Sequence, residues 1–231
     1  MSGIQFNNFH TEKDFGISIY SRDIEIAQKR TLKQQVPFMN GEYDFSGLYG
    51  DDCYESRELK YVFNVLAKDR MQLRMKIRQL TNAFMSASEG KIYDDLYPGY
   101  YFVGKCVSCD QSLNKTWGKF SVTFDAKPFM YGANYEGHDI WDIFNFEEDY
   151  AQQTAFTITN STDIILYNPS AISITPTVIC TSDMTIQMND TTYSFVAGTT
   201  KDYRFKLEKG ENHMVIAGQG NIEFKFRKEV L

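Results

Sequence analysis

Short runs in which apolar and polar residues alternate dominate the 231-residue chain. Near the C-terminus, Ile222, Phe224 and Phe226 alternate with charged residues. Successive side chains of a β-strand point to opposite faces, so this period of two predicts strands with one buried face. The 18 Phe and 15 Tyr residues agree with this, because aromatic side chains suit a pleated, half-buried surface. The pattern predicts a mainly β protein.

One segment departs from this period and predicts a helix over residues 69–86. Its apolar residues, at helical spacing, are Leu66, Leu73, Ile77, Leu80 and Phe84. Asp69 followed by Gln72 has the form of a capping box, and Gly90 suits the end of the segment. No second helix stands out.

Turn-forming residues divide the rest of the N-terminal half into hairpins. The predicted strands are 91–93 and 100–103 around a turn at 94–99, and 105–109 and 118–124 around a polar loop at 110–116. Phe120, Val122 and Phe124 would share the buried face of the last strand. Pro128 and Gly132 suit the end of a first domain, residues 1–132.

Residues 133–231 are predicted to form a second, antiparallel β-sandwich domain. An acidic connector at 133–150 carries Trp141, Phe144 and Phe146, which we expect to pack at the domain junction. Turn signals then recur at roughly the 8–12-residue spacing of a sandwich. They are Asn160-Ser161, Asn168-Pro169, Thr181-Ser182-Asp183, Asn189-Asp190, Gly198, Lys209-Gly210-Glu211-Asn212 and Gly218-Gln219-Gly220.

Charge and composition narrow the possible functions. The net charge of −6 divides unevenly, since residues 1–133 carry 17 basic and 16 acidic side chains and the rest carry 7 and 14. Such an acidic second half disfavours binding to nucleic acid and favours protein partners. No apolar run approaches the length of a membrane span, and the first residues do not resemble a secretory leader, so we expect synthesis in a reducing cytosol. Four Cys residues do not suggest a disulfide scaffold.

Candidate chemistry is sparse. Gly99 to Cys106 falls one residue short of a phosphate-binding loop and reads as a strand, which argues against nucleotide binding. Cys106 and Cys109 could be a redox pair or half of a zinc site. Residues three apart in a regular strand point to opposite faces, so the two cysteines would need a bulge or a turn to meet, and ordinary half-buried strand cysteines are favoured.

No catalytic or metal-binding motif accompanies His10, His138 and His213, and we predict neither enzyme activity nor a cofactor or metal. Adjacent carboxylates could serve glycoside hydrolysis, but in loops they are expected to face solvent. These pairs are Asp51-Asp52, Asp94-Asp95 and Glu147-Glu148. The helix carries Arg70, Arg74, Lys76 and Arg78. A basic helix can bind nucleic acid, but a solvated face is the default interpretation.

In their order along the chain, several segments resemble the distal tail protein family of long, non-contractile-tailed bacteriophages. The segments are 37–41 (PFMNG), 54–59 (YESREL), the helix, 97–105 (YPGYYFVGK), 118–124 (GKFSVTF), 128–131 (PFMY), 168–169 (NP), 184–193 (MTIQMNDTTY) and 207–212 (LEKGEN). Together they cover nearly the whole chain.

This resemblance implies a structural protein of a phage or prophage, without catalytic residues. Members form a hexameric hub at the tail tip that joins the tail tube to the baseplate and receptor-binding apparatus, including tail-lysin or fibre proteins, and DNA passes through the ring. The N-terminal domain would be a tail-tube-like β-sandwich with one α-helix that builds the ring. The C-terminal domain would be a galectin-like antiparallel β-sandwich that faces outward. The expected location is the virion tail tip, after assembly in the host bacterial cytoplasm.

Two surfaces follow as hypotheses. A head-to-tail ring needs an element that reaches a neighbouring subunit, and our candidate inter-subunit arm is Leu32, Val36, Phe38, Tyr43, Phe45 and Tyr49. The alternative interpretation of this segment is a mobile surface loop. In a hexamer, the basic helix could face the lumen without sequence-specific nucleic acid binding.

The competing hypothesis is a stand-alone carbohydrate-binding module, with Tyr193 or Tyr203 on an exposed aromatic row. Galectin-type sugar recognition is not supported, because Trp141 lies in the connector and His213 lacks a neighbouring Arg.

Overall fold

The computed structural model describes residues 3–47, 50, 52–138 and 150–231. Tyr49, Asp51, the Glu147-Glu148 pair and the connector residues Trp141, Phe144 and Phe146 lie outside these residues. The described fold is mainly β, as predicted, with several antiparallel sheets. The chain divides into two compact units, Met1–Met130 with Leu231, and Tyr131–Val230.

Unit 1 is built from a large antiparallel sheet, a small separate sheet and two helices. Its elements are β1 (Ile4–Phe6), β2 (Phe9–His10), α1 (Thr11–Phe15), β3 (Ser18–Ile24), β4 (Lys33–Gln34), β5 (Tyr43–Asp44), β6 (Arg57–Leu66), α2 (Arg70–Met85), β7 (Gly90–Asp94), β8 (Tyr100–Leu113) and β9 (Trp117–Ala126). The main sheet has the order β2-β1-β7-β8-β9-β6-β3, and in the described part of the chain β4 pairs only with β5.

The main sheet curls so that strands near its two ends meet. Arg22 of β3 donates to Asp94 of β7 at 2.9 Å, although β6, β9 and β8 separate these strands in the sheet. Inside the curve, Phe6 of β1 lies 5.1 Å from Phe124 of β9, measured between ring centroids. A sheet with one apolar face buries that face by folding over itself.

The predicted helix is confirmed as α2, and its start is fixed by a cap. The Asp69 side chain accepts a hydrogen bond from the Gln72 backbone N–H at 2.8 Å, which satisfies one of the free donors of the first turn. The buried residues are Leu73, Ile77, Leu80 and Phe84. Leu66 does not belong to this stripe, because it ends β6 and is 70% exposed.

The sequence prediction missed the second helix, α1. It spans only five residues, too few for helical periodicity to show. His10 caps its start by accepting from the N–H groups of Glu12 and Lys13, and Gly16 ends it in the left-handed conformation with φ +59°.

The two predicted hairpins are partly right. β7 and β8 pair around the turn as expected. However, residues 105–109 are not a separate strand, because β8 runs without interruption from Tyr100 to Leu113. The loop before β9 therefore contains only residues 114–116. The predicted buried face of β9, Phe120, Val122 and Phe124, is confirmed.

Unit 2 contains strands only, as far as the described residues extend. Together with β10 (Met130–Gly132), which begins at the unit boundary, they are β11 (Ala155–Asn168), β12 (Thr177–Cys180), β13 (Met184–Met188), β14 (Thr191–Phe195), β15 (Gly198–Thr200), β16 (Gly210–Lys225) and β17 (Glu229–Val230). The order is β14-β13-β16-β12-β15, with β11 also paired to β16, and β10 pairs with β17.

Two predicted turns in unit 2 are instead bends within long strands. β11 and β16 stay paired from Ala155↔Glu223 to Asn168↔Gly210. Asn160 (φ +65°) lies opposite Gly218 (φ +151°) in this ladder. Left-handed residues bend a strand without ending it. On its other side, β16 pairs with β13 before the bend and with β12 after it.

The core of unit 2 is aromatic and aliphatic. Phe205 lies 5.4 Å from Phe195 and 6.3 Å from Phe224, measured between ring centroids. Two buried amides hold the loops beside it. Asn168 donates to the carbonyls of Ile172 and Leu207, and Asn212 fills the same role within residues 208–212. Among the described residues, no helix is both long and apolar enough to cross a membrane.

Candidate assembly surfaces

The arm, residues 32–50, carries exposed apolar side chains on a small hairpin. β4 and β5 pair through Lys33↔Asp44 and Gln34↔Tyr43. The hairpin is closed by hydrogen bonds from Phe45 N–H to the Leu32 carbonyl, 2.8 Å, and from Leu32 N–H to Ser46 Oγ, 2.8 Å. The five described candidates, Leu32, Val36, Phe38, Tyr43 and Phe45, are all exposed, and Phe38 is fully so.

The arm is anchored to the main sheet through a paired base. Next to the β3–β6 pair, Glu25 N–H donates to the Glu58 carbonyl at 3.0 Å. Farther out, Lys29 forms an isolated antiparallel β-bridge with Tyr54, and its side chain forms an ion pair with Asp52. Backbone hydrogen bonds thus tie the two sides of the connection together at several levels. An arm held in this way presents its apolar tip from a defined position.

A second apolar surface, the strand-end patch, consists of Leu66 and Trp117. Leu66 ends β6 and pairs directly with Trp117 at the start of β9. Directly opposed residues of an antiparallel pair lie on the same face of the sheet. Both side chains are exposed. The patch was not predicted from the sequence, because the spacing of Leu66 grouped it with the apolar residues of the helix.

The basic residues of α2 do not share one surface. Arg70, Arg74 and Arg78 are exposed at intervals of four residues and form one stripe, the arginine face. Among the described residues, none of the three forms an ion pair. Lys76 is half-buried, with its Nζ 3.5 Å from the Gly16 carbonyl oxygen, and burial lowers the pKa of Lys76.

The expectation that the Asp94-Asp95 pair is solvated is wrong for Asp94. The Asp94 side chain is completely buried and accepts from Arg22 Nε through both oxygens, at 2.9 and 3.1 Å. It also accepts from the Leu96 N–H at 3.0 Å. Asp95 is partly exposed and accepts from the Gly3 N–H at 2.9 Å. These carboxylates therefore hold the fold together and do not flank an open cleft.

Buried polar groups without partners lie in the same region of unit 1. Arg57 is buried with its guanidinium carbon 4.8 Å from the Phe102 ring centre, and its Nε and Nη2 have no hydrogen-bond partner among the described residues. The same holds for Tyr61 Oη. Burial lowers the pKa of Arg57 and raises that of Tyr61, so the phenol stays neutral at ordinary pH. No signal in the sequence marks this cluster.

The structure overturns the expected separation of Cys106 and Cys109. A β-bulge interrupts β8 between Cys106 and Ser108, and the two Sγ atoms lie 3.7 Å apart. A bulge is one of the two ways in which such a pair can meet, but nothing in the residue types marks one here. In the described part of the chain, no group of three or more His, Cys, Asp or Glu side chains is arranged to hold a metal.

The residues of the carbohydrate hypothesis lie in different environments. Tyr193 is half-buried against Phe205, with ring centroids 5.1 Å apart. Tyr203 is exposed, with the Lys201 ammonium 5.8 Å from its ring centre. His213 is exposed and pairs with Glu211 at 3.5 Å. These contacts give no specific support to a shared sugar-binding platform.

Solved structures give a fold for comparison. The crystal structure of the SPP1 Dit protein, described as a paradigm of the hub adsorption apparatus in phages that infect Gram-positive bacteria, is similar with a TM-score of 0.69 and 13% identity over 100% of both chains. Chains of the phage P2 baseplate in its activated conformation give TM-scores of 0.45 and 0.43, at 9% and 10% identity, over 97% or more of each chain. No curated protein sequence matches the chain.

The sequence itself matches a family. Residues 6–126, just over half of the chain, match the family described as phage tail protein RIFT-related domain. Together with the Dit-like fold, this match confirms the resemblance to a tail protein of long-tailed phages. The chain therefore belongs to the family of phage tail proteins with a RIFT-related domain.

Proposed function

We propose that this protein is a distal tail hub protein, six copies of which form a ring at the tail tip. The observation that carries the proposal is the fold shared with the SPP1 Dit hub protein over the full length of both chains. The family match supports the same role. In this proposal, the ring joins the tail tube to the baseplate or receptor-binding proteins of the virion.

Residues 1–132 form the ring in this proposal, and residues 133–231 form an outward-facing, galectin-like attachment domain. A closed ring of identical subunits needs two different, complementary surfaces on each copy. Unit 1 offers two exposed apolar surfaces, the arm and the strand-end patch. When a neighbouring subunit covers an apolar surface, that surface is removed from water and the free energy falls. We assign the arm to one side of the subunit interface and the strand-end patch to the other.

The mass of the assembly in solution tests the ring. Multi-angle light scattering on the full chain at micromolar concentration is expected to give about six times the 26.7 kDa of one chain. A protein that stays monomeric at every concentration, also with its tail partners present, would contradict the proposal.

Two matched substitutions test the assigned surfaces. Phe38→Ser removes the most exposed apolar side chain of the arm, and Trp117→Ser alters the strand-end patch. Both are expected to shift the hexamer towards monomer. Val196→Ser is the control, because Val196 is an exposed apolar residue of unit 2. An equal shift in all three variants would show that the effect is not specific to the two surfaces.

The arginine face is proposed to line the lumen of this ring. Six copies of Arg70, Arg74 and Arg78 would place a belt of positive charge around passing DNA without reading its sequence. An Arg74→Cys variant, made with Cys53→Ser and Cys109→Ser to remove the two natural cysteines that solvent reaches, can be labelled with maleimide gold. Electron micrographs of the rings are expected to show the gold at the centre. Gold at the rim would place the arginine face outside.

A further inference from the structure

The sulfur cluster of unit 1 consists of Cys106, Cys109 and Met85. In β8, Cys106 pairs with Phe124 and Ser108 pairs with Thr123, so Val107 is an extra residue without a counterpart in β9. An extra residue re-aims the side chains that follow it. The bulge thereby brings the Sγ atoms of Cys106 and Cys109 to 3.7 Å. Met85 Sδ, at the end of α2, lies 3.6 Å from Cys106 Sγ.

The two thiols differ in access and acidity. Cys106 is buried, whereas Cys109 is partly exposed to solvent. A hydrogen bond from Cys109 lowers the pKa of the Cys106 thiol, and the same contact with Cys106 raises the pKa of Cys109. Cys106 thus has increased thiolate character, and it lies beside Cys109, which solvent reaches. Cys53 is exposed and Cys180 is buried in the core of unit 2, so both provide internal comparisons.

We propose that Cys106 and Cys109 form a redox-active dithiol that closes to a disulfide on reaction with a low-molecular-weight disulfide such as oxidised glutathione. Disulfide sulfurs are about 2.05 Å apart, so the sulfurs must approach by about 1.7 Å from their separation of 3.7 Å. Because the bulge already directs both side chains to one place, this approach needs side-chain rotation rather than a change of strand pairing.

The reaction is a pair of thiol–disulfide exchanges. Cys109 passes its proton to the Cys106 thiolate, and Cys109 Sγ attacks one sulfur of the oxidant, so that the oxidant's S–S bond breaks and one glutathione leaves as a thiolate. That glutathione takes the proton from Cys106, whose Sγ then attacks the Cys109 sulfur of this mixed disulfide. The second glutathione leaves as a thiolate and takes a proton from solvent. The two cysteines lose two electrons in total, and the oxidised glutathione becomes two thiols.

The time at which the protein would meet an oxidant follows from the proposed function, on which this step rests. A tail protein is made in a reducing bacterial cytoplasm and leaves it in the virion at release, when the surroundings become more oxidising. The disulfide would then fix the bulge of β8 covalently. Its formation in the purified protein can be measured whether or not the ring forms, so the two proposals fail separately.

A single tryptic peptide reports on the pair. Cleavage after Lys105 and Lys115 releases residues 106–115, which contain Cys106 and Cys109 but neither of the other cysteines. The folded protein is equilibrated in glutathione buffers of increasing oxidised fraction, quenched with acid, alkylated in denaturant and digested. In oxidising buffers, the peptide is expected to escape alkylation and to be about 2 Da lighter than the dithiol form.

The unfolded chain is the matched comparison. In urea, the equilibrium constant for closing the same disulfide is expected to fall by about tenfold or more, because the fold no longer holds the sulfurs together. Cys180→Ser is expected to leave the midpoint of the glutathione titration unchanged. In Cys109→Ser, no second thiol is present to close the disulfide, so Cys106 is expected to remain a free thiol or a glutathione adduct. Double alkylation of the wild-type peptide in every buffer, a persistent mixed disulfide, or equal constants for folded and unfolded chains would overturn the proposal.

Discussion

Phe84 connects the helix to the sheet of unit 1 through its ring. The side chain is fully buried, and five other rings lie within 6.3 Å of it, measured between centroids: Phe6, Phe9, Phe63, Phe120 and Phe124. These rings come from β1, β2, β6 and β9. One helical side chain therefore fills the space enclosed by the curled sheet. Removing its ring would leave a cavity lined by many closely packed side chains.

Phe84→Ala is expected to reduce the free energy of unfolding by about 3–5 kcal/mol, the usual cost of emptying an aromatic core position. Urea denaturation measures the change. Met71→Ala on the exposed face of the same helix is the control and should cost less than about 0.5 kcal/mol. Similar losses in the two variants would contradict the central role of Phe84.

Asp95 makes the stability of unit 1 depend on pH in the acidic range. Burial alone would raise the pKa of Asp95, but the Gly3 N–H and His10 more than offset burial, and the pKa lies below its ordinary value. The stabilisation by Asp95 is therefore complete above the ordinary pKa of about 3.9. It is lost as the pH falls through the lower pKa of the folded state, because the unfolded chain binds the proton first.

We expect the wild type to be more stable than Asp95→Asn at pH 7, with a difference that narrows below about pH 4. Urea midpoints measured from pH 7 to pH 2.5 test this. Asp110→Asn, at an exposed position of β8, is the control and should show no comparable narrowing. A constant difference for Asp95→Asn across the range would show that its charge does not stabilise the fold.

Single residues were predictable from sequence where a regular period applied. The spacing of Leu73, Ile77 and Phe84 gave the buried face of α2 correctly, because helical geometry relates those positions directly. The burial of Asp94 was not predictable. Its partner Arg22 lies 72 positions away, and only the curl of the sheet brings the two together.

Gly220 illustrates how an element depends on a backbone conformation. It lies in the bent part of β16 with φ +133°, a conformation that side chains disfavour. A Cβ at this position would lie 2.4 Å from Thr181 Oγ1 and 3.0 Å from Ser182 Oγ. The bend and the neighbouring turn thus both require a residue without a side chain.

Gly220→Ala is expected to destabilise unit 2 by about 2 kcal/mol or more through backbone strain and this close contact. Hydrogen exchange of residues 155–168 and 210–225, read by mass spectrometry, measures the effect locally. Gly47→Ala is the control, because Gly47 has no strained φ and, apart from its chain neighbours, no atom of the described residues lies within 4 Å of the added Cβ. Unchanged exchange in Gly220→Ala would show that the bend tolerates a side chain.

The elements themselves were predicted unevenly for a common reason. Turn residues correctly marked the Asn189-Asp190 hairpin, where both residues have positive φ, but the same residue types marked false turns at Asn160 and Gly218. A left-handed residue can reverse a chain or only bend it. The outcome depends on whether the partner strand continues, as it does in the β11–β16 ladder, and local sequence does not contain that information. The bulge between Cys106 and Cys109 was hidden in the same way.

The whole molecule combines a nearly neutral N-terminal half with an acidic C-terminal half. The side chains assigned to the subunit interface are apolar, although the arm also carries the charged residues Lys33, Glu42 and Asp44. Salt weakens contacts between exposed charges and leaves the burial of apolar surface largely intact. The composition of the two surfaces therefore predicts how the assembly responds to ionic strength.

We expect the hexamer to persist in about 1 M NaCl, where the screening length is about 3 Å. Light scattering of the wild type in low and high salt at one protein concentration measures this. Phe38→Ser should dissociate at low salt already. Dissociation of the wild type by salt alone would show that charged groups, rather than the arm and the strand-end patch, hold the subunits together.

The pairing of β1 with β7 also determines when unit 1 can fold during synthesis. Ile4 pairs with Asp94, so β1 cannot pair until β7 has left the ribosome, about 90 residues later. At common translation rates this delay is roughly 5–20 s. During that interval, Ile4 and Phe6 remain uncovered, although both are fully buried in the finished unit. Slower translation of this stretch should therefore lower the yield of soluble protein while leaving the stability of the completed chain unchanged.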